Sequence, residues 1–163
     1  MSSEAIRLSE LSAAVRESTL KRLRLVPRER ENWRPTEAAL SFADVAQHLV
    51  DADEWLFRKL ANPELTGIKA RPGIATVADR AQFQALLDRL SVLGEARCRV
   101  LAGLHENDLR ALVPDDRFGG NVSVWWVIVR GNLDHEAHHR GQVATYLRIL
   151  TSQRGDQHDS SSA

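Results

Sequence analysis

Apolar residues recur every three or four positions in four long stretches of this chain, and that periodicity limits its fold more than any other feature. Residues 4–25 carry Leu8, Leu11, Val15, Leu20 and Leu23 on one stripe and stop near Pro27. The second stretch opens at Ser41, which forms a capping-box pair with Asp44 three positions on. It runs through Phe42, Val45, Leu49, Ala52 and Leu56 to Leu60, ahead of Asn62-Pro63. The third carries Phe83, Leu86, Leu87, Leu90, Leu93, Leu101 and Leu104, with Thr76 as its expected cap and Asp79 at the third position. The fourth spans 122–150. Its start, Val-Ser-Val-Trp-Trp-Val-Ile-Val, is rich in strand formers, and a short strand there is the local alternative. The helical period nevertheless continues past Gly131 and Gly141, either of which could bend the helix, and Ser123 could cap it.

Four long amphipathic helices predict an all-α fold, a four-helix bundle. The connections at 26–40, 61–75 and 106–121 are each about fifteen residues, against the ~2–8 that join neighbours in an up-and-down bundle. Fifteen extended residues reach roughly 50 Å, enough to run back along a helix, so long crossover connections are expected. At 163 residues the chain is expected to form one domain over 1–150, with a polar, disordered tail over 151–163.

Charge narrows the partners. Lys+Arg and Asp+Glu both number 22, so no net field draws the chain to phosphate backbones or anionic lipid. Neither nucleic acid nor a membrane is expected as a partner. Cys98 is the single cysteine; it excludes an internal disulfide framework and a Cys-based zinc cluster, and reads as a small buried residue. The N-terminus lacks an apolar leader and no run of ~18 apolar residues occurs, so a cytoplasmic location is expected.

Chemistry concentrates in Asp134-His-Glu-Ala-His-His-Arg-Gly-Gln142. His135 and His139, four apart on a helix, project side by side, and two imidazoles at that spacing can share one transition-metal ion. His138 points about 60° away and fits the pair less well. Ile128, Asn132, Gln142 and Tyr146 fall within about 60° of His135. Such a row of buried polar groups calls for a cavity or a metal site rather than a plain core. The best third ligand is His48, at the edge of the second helix's apolar face. Asp44 or Asp51 could hold its other ring nitrogen. Two histidines from one helix and one from another leave metal positions open to water or substrate. His105, at a helix end, and His158, in the tail, are expected to be solvated.

His135–His139 also spells H-E-x-x-H, with Glu136 as the would-be general base of a zincin-type protease. The downstream ligand those enzymes need is missing from Arg-Gly-Gln-Val-Ala-Thr, so Glu136 is read as facing solvent or supporting the site from its edge. Trp33, Trp55, Trp125 and Trp126 read as core and interface residues. Trp55 lies near His48 in projection and could wall a pocket. Adjacent Trp125 and Trp126 cannot both face one core, which leaves one for a subunit interface.

His-x-x-x-His-Arg-Gly-Gln at 135–142, with Ser41-Phe-x-Asp-x-x-x-His-Leu at 41–49 following Trp33-x-Pro35, resembles the DinB/YfiT-like superfamily of metal-dependent proteins built on a four-helix bundle. The likeness runs from the first helix to about Leu150. It implies a divalent metal ion, zinc or nickel, held by His48, His135 and His139, with long crossovers and a homodimer. Characterised relatives include transferases and isomerases that use a low-molecular-weight thiol (mycothiol, bacillithiol or glutathione) as cofactor; other members have no assigned activity. The resemblance thus implies a thiol-dependent S-transferase, or failing that a hydrolase, acting on a small-molecule substrate. Arg140 or Arg148 could hold the thiol's carboxylates. The rival is a non-catalytic binding or stress-response module in which the metal is a structural staple.

Overall fold

Four long helices and a small hairpin account for most of the chain, of which the computed structural model describes residues 3–65 and 71–159. The long helices are α1 (Ser3–Leu23), α2 (Phe42–Ala61), α3 (Arg80–Ala102) and, after six short elements, α6 (Asp134–Asp159). Helix α1 packs against α3 and α6, and α2 packs against the same two. Among the described residues no helix is long and apolar enough to cross a membrane.

The all-α expectation fails in the third connection. After the one-turn α4 (Glu106–Arg110), strands β1 (Leu112–Asp115) and β2 (Gly120–Ser123) pair antiparallel, Leu112 opposite Ser123 and Asp115 opposite Gly120. A 3-10 turn, Asp116–Phe118, joins them. The hairpin is anchored from both sides: Val113 is buried in the core, and the buried Lys59 ammonium of α2 donates to the Pro114 carbonyl. So the strand-forming start of the fourth periodic stretch is a strand, but only as far as Ser123. There the Ser123 hydroxyl accepts from the Trp126 amide at 3.1 Å and caps α5 (Val124–Ile128). A π turn, Val129–Leu133, then carries the chain into α6. Gly131 lies within that turn.

Other boundaries follow from their caps. Ser41 and Asp44 form the expected reciprocal box, Ser41 N–H to Asp44 Oδ2 at 2.9 Å and Asp44 N–H to Ser41 Oγ at 3.0 Å. Helix α3 begins later than expected, because Asp79 itself is the cap and accepts from the Gln82 amide at 2.8 Å. Helix α6 continues past Leu150 to Asp159. The expected disordered tail falls in part on 160–163, outside the described residues.

The interior has two apolar halves. One holds Leu20, Leu23, Phe42, Leu49, Leu87, Leu90, Val143 and Tyr146; the other holds Leu8, Trp55, Leu56, Leu101, Val113, Ile128 and Leu133. On each long helix, polar residues lie between the positions belonging to the two halves: Ser12 and Arg16 on α1, Asp53 on α2, Arg97 on α3, Glu136 on α6. This polar layer displaces the stripe assigned to α1. Leu11 is 47% exposed, and Ser12, Arg16 and Thr19 are the buried positions there.

Candidate metal centre

His48 from the middle of α2 and His135 and His139 from the first turns of α6 converge, their ligand atoms all within 4.8 Å of one another. His48 Nε2 stands 2.9 Å from His135 Nε2, which in turn stands 3.0 Å from His139 Nε2. The rings are close to mutually perpendicular, at 80° to 89°. His48 and His139 are buried and His135 is half-buried. His138 is exposed beside His139, as its offset on the helix requires. His105 is exposed, and the side chain of His158 lies outside the described residues.

Hydrogen bonding alone does not satisfy this arrangement. A ring nitrogen offers either one N–H or one lone pair, yet His135 Nε2 faces two other ring nitrogens. A shared cation does satisfy it. At metal–nitrogen distances of about 2.0–2.1 Å, two imidazole nitrogens on one ion stand roughly 3 Å apart. The protonation states agree. Burial, then the neighbouring His139, pushes His48 down to about 4. Burial, then His139, His48 and Arg117, pushes His135 down to about 3. Burial also lowers His139, against the opposing hydrogen bond to Gln142. At neutral pH all three rings are uncharged, so each has one lone-pair nitrogen to offer a metal.

The supporting contacts differ from those expected. His139 Nδ1 pairs with Gln142 Oε1 at 2.7 Å. The amide oxygen can only accept, so Nδ1 carries the hydrogen and Nε2 is left to bind. Asp44 and Asp51, expected to hold His48, turn elsewhere. Asp51 accepts from Gln47. Asp44 accepts backbone N–H groups of Ser41, Gly73 and Ala75 and pairs with Arg34 at 3.1 Å. Burial alone would raise the Asp44 carboxyl; those backbone donors outweigh it and hold it below the usual carboxylate range. The Ser-Phe-x-Asp segment thus ties the second connection to the start of α2 while Phe42 packs against Trp33 and Tyr146.

Glu136 neither faces solvent nor acts on the triad. Its carboxylate is 1% exposed and accepts from Arg16 Nε at 2.8 Å, Arg16 Nη2 at 2.9 Å and Arg97 Nη1 at 2.8 Å. Asp53 bridges the same arginines, from Arg16 Nη2 at 2.8 Å and Arg97 Nη1 at 2.7 Å. Arg97 also donates to Ser12 Oγ and Asn132 Oδ1. Two guanidinium groups and two carboxylates cancel in charge, which burial of this many ions demands. Burial would raise the Glu136 carboxyl, but Arg16 and Arg97 reverse this and bring it down to about 2. A carboxylate so held is no general base. Gly94 makes room for the network: a Cβ there would lie 2.7 Å from Arg16 Cγ. Of the residues that share His135's projected face, Asn132 therefore serves this network and Tyr146 the aromatic cluster; only Gln142 serves the triad.

Sequence reasoning missed Arg16, Asp53 and Arg97, and also Arg117, on the hairpin turn. Asp115 grips Arg117 in two bonds, Nε to Oδ1 at 2.9 Å and Nη2 to Oδ2 at 2.6 Å, and Nη1 donates to the Gly131 carbonyl at 3.2 Å. The guanidinium stacks on the buried Trp55 ring at 4.2 Å. The two arginines considered for the site are placed otherwise: Arg148 is exposed and Arg140 half-buried, and among the described contacts neither meets the triad. Trp125 donates its ring N–H to Glu4 at 2.8 Å, leaving Trp126 as the exposed member of the pair. Cys98 is half-buried against Ser9 and Ser12.

A family model described as the DinB superfamily matches residues 12–143. Among solved structures the chain is similar to that of a DinB-like protein from Bacillus subtilis, with 19% sequence identity and a TM-score of 0.65, over 89% of this chain and 92% of that one. At this identity the likeness shows a shared fold. No curated protein matches the chain.

Proposed function

The chain belongs to the DinB superfamily, and from that premise we propose that it is a metal-dependent enzyme whose His48, His135 and His139 hold one divalent ion, zinc or nickel. The reaction we assign is thiol-dependent S-transfer to a small-molecule electrophile, by a homodimer in the cytoplasm. The four long helices fit the bundle expected for such a protein. The observation that carries the reading is the convergence of three neutral imidazoles from two helices. Three protein ligands leave positions open for a reactant, whereas a structural staple closes its shell.

Bound there, a divalent ion supplies a Lewis acid able to deprotonate a coordinating thiol at neutral pH. The residues around it present the site rather than share in proton transfer. Gln142 fixes the His139 ring, and the ionic layer beneath fixes the face of α6 that carries both histidines. Because Glu136 is committed to Arg16 and Arg97, the base of an H-E-x-x-H hydrolase is lacking, which favours thiol transfer over hydrolysis. In the overall reaction the thiol sulfur forms a bond to an electrophilic carbon. The bond from that carbon to a halide, or to the epoxide oxygen, breaks with its electron pair on the departing atom. The thiol proton passes to water in the first case and to the opened alkoxide in the second.

Metal content by plasma mass spectrometry, on untagged protein purified without a nickel column, tests the first half. About one equivalent per chain, lost in His48→Ala, is expected; no uptake even after incubation with zinc and nickel overturns the reading. For the second half, metal-loaded protein is incubated with an epoxide or alkyl halide and mycothiol, bacillithiol or glutathione. Consumption of the electrophile with at least one thiol is expected, and consumption with none refutes S-transfer.

A further inference from the structure

Arg117 approaches the flank of the centre from the hairpin turn, and His135 feels its charge. The arginine rests on Trp55, two turns beyond His48 on α2, and against Gly131, one turn before His135. These two neighbours, on the helix faces that carry His48 and His135, set the guanidinium on the flank of the triad. The approach is built in: a Cβ at position 131 would lie 2.7 Å from Nη2 and 3.3 Å from Cζ. Three of the five guanidinium N–H groups are used by Asp115 and Gly131 among the described contacts. One N–H on each terminal nitrogen remains. About a third of the side chain, 32%, is exposed. Asp115 also feels the Lys59 ammonium, so one carboxylate serves two cations. Asp115, Gly131 and Trp55 thus fix a guanidinium that is held rigidly and still reachable.

Resting on the metal-enzyme reading above, we propose that Arg117 is a substrate-positioning residue that binds a carboxylate of the molecule whose thiol reaches the three-His centre. The substrate class it selects is the anionic thiols. A preorganised guanidinium loses little conformational freedom on binding and offers charge-assisted bonds that a neutral analogue cannot use. The competing role is a plain staple of the hairpin to α2 and α6. A staple alters stability without altering which thiol binds.

The test is a spectroscopic titration of the cobalt-loaded full chain with 3-mercaptopropionate and with its neutral amide. The acid is expected to bind about tenfold more tightly than the amide, the amount a charge-assisted pair supplies at a partly exposed site. In Arg117→Gln that preference disappears while the amide binds as before; Arg117→Lys retains part of it. Gly131→Ala leaves the charge but displaces the guanidinium, and lowers the preference as well. Thermal midpoint and cobalt uptake are read for each variant first, with Gly131→Ala and Arg117→Lys deciding the matter where Arg117→Gln fails to fold. Equal binding of the two thiols by the wild type, or a preference that survives Arg117→Gln, overturns the role of Arg117 and leaves the metal reading standing. A bound cobalt ion whose spectrum neither thiol moves overturns thiol chemistry and this role together. A chain that takes up no cobalt overturns the metal reading, and the proposal falls with it.

Discussion

Replacing Glu136 by Gln removes one negative charge from a buried layer whose two guanidinium groups and two carboxylates balance. The carboxylate accepts three charge-assisted hydrogen bonds, two from Arg16 and one from Arg97, all at 2.8–2.9 Å. Asp53 alone then faces two guanidinium groups, and the new carboxamide N–H meets a donor. Stripping one partner from a buried ion pair costs about 3–5 kcal/mol, because the remaining charge stays out of water. At roughly 2–4 °C per kcal/mol for a chain of this size, the thermal midpoint falls by ~10 °C. The assay is urea and heat denaturation at pH 7 followed by circular dichroism, with chelator in both samples so that the adjacent histidines contribute no metal-linked stability. A second arm removes a balanced pair: Arg97→Met with Glu136→Leu is expected to cost at least ~1 kcal/mol less than the sum of the single changes. A loss below about 1 kcal/mol for Glu136→Gln refutes the argument, since only a layer reached by water tolerates the change so cheaply.

Further outcomes follow from single contacts. Gln142→Leu removes the acceptor at His139 Nδ1 and is expected to weaken zinc binding about 10–100-fold, read by competition with a chromophoric chelator. Asp44→Asn loses charge from the carboxylate that receives the Ser41, Gly73 and Ala75 amides and is expected to destabilise by about 2 kcal/mol. Its folded pKa is depressed, so the wild-type advantage is present above the unfolded carboxyl value of about 4 and fades as pH falls through the folded one; urea midpoints of the two proteins therefore draw together in acid. Gly94→Ala, pressing on Arg16 Cγ at 2.7 Å, is expected to destabilise, whereas Gly141→Ala, with open space around it, is expected to stabilise α6 by about 0.5–1 kcal/mol, both from denaturation curves.

How much of this is legible in the sequence depends on the range of each interaction. The capping box at Ser41 and Asp44 and the histidine pair at 135 and 139 are local patterns, and they mark α2 and the metal-ligating face directly. His48 adds a third imidazole because it lies on the inward edge of a strongly periodic helix. The ionic layer was legible only in part. Arg16, Asp53 and Arg97 each continue an apolar stripe in helical register, a break in pattern that marks buried charge. Their mutual pairing depends on which helices meet, and periodicity is silent on that. Of the hairpin, only the second strand had a local signal, in the strand formers that begin at Val122. The first strand and the pairing did not, because a four-residue strand alternates too briefly to register within a long connection. Arg117 eluded pattern reasoning because its place beside Trp55 and Gly131 is a contact between distant segments.

The ionic layer takes one charged group from each long helix: Arg16, Asp53, Arg97 and Glu136. Assemble any three and an odd charge is left in the interior, so partial structures carry a penalty the complete set does not. The layer therefore acts as a checksum on assembly, favouring all-or-none docking over a stable three-helix intermediate. An identical helix borrowed from a second copy of the chain passes the same check. Charge balance thus guards against a missing helix but is indifferent to whose helix fills the place, and exchange of α1 or α6 between two copies is a failure that this layer does nothing to prevent.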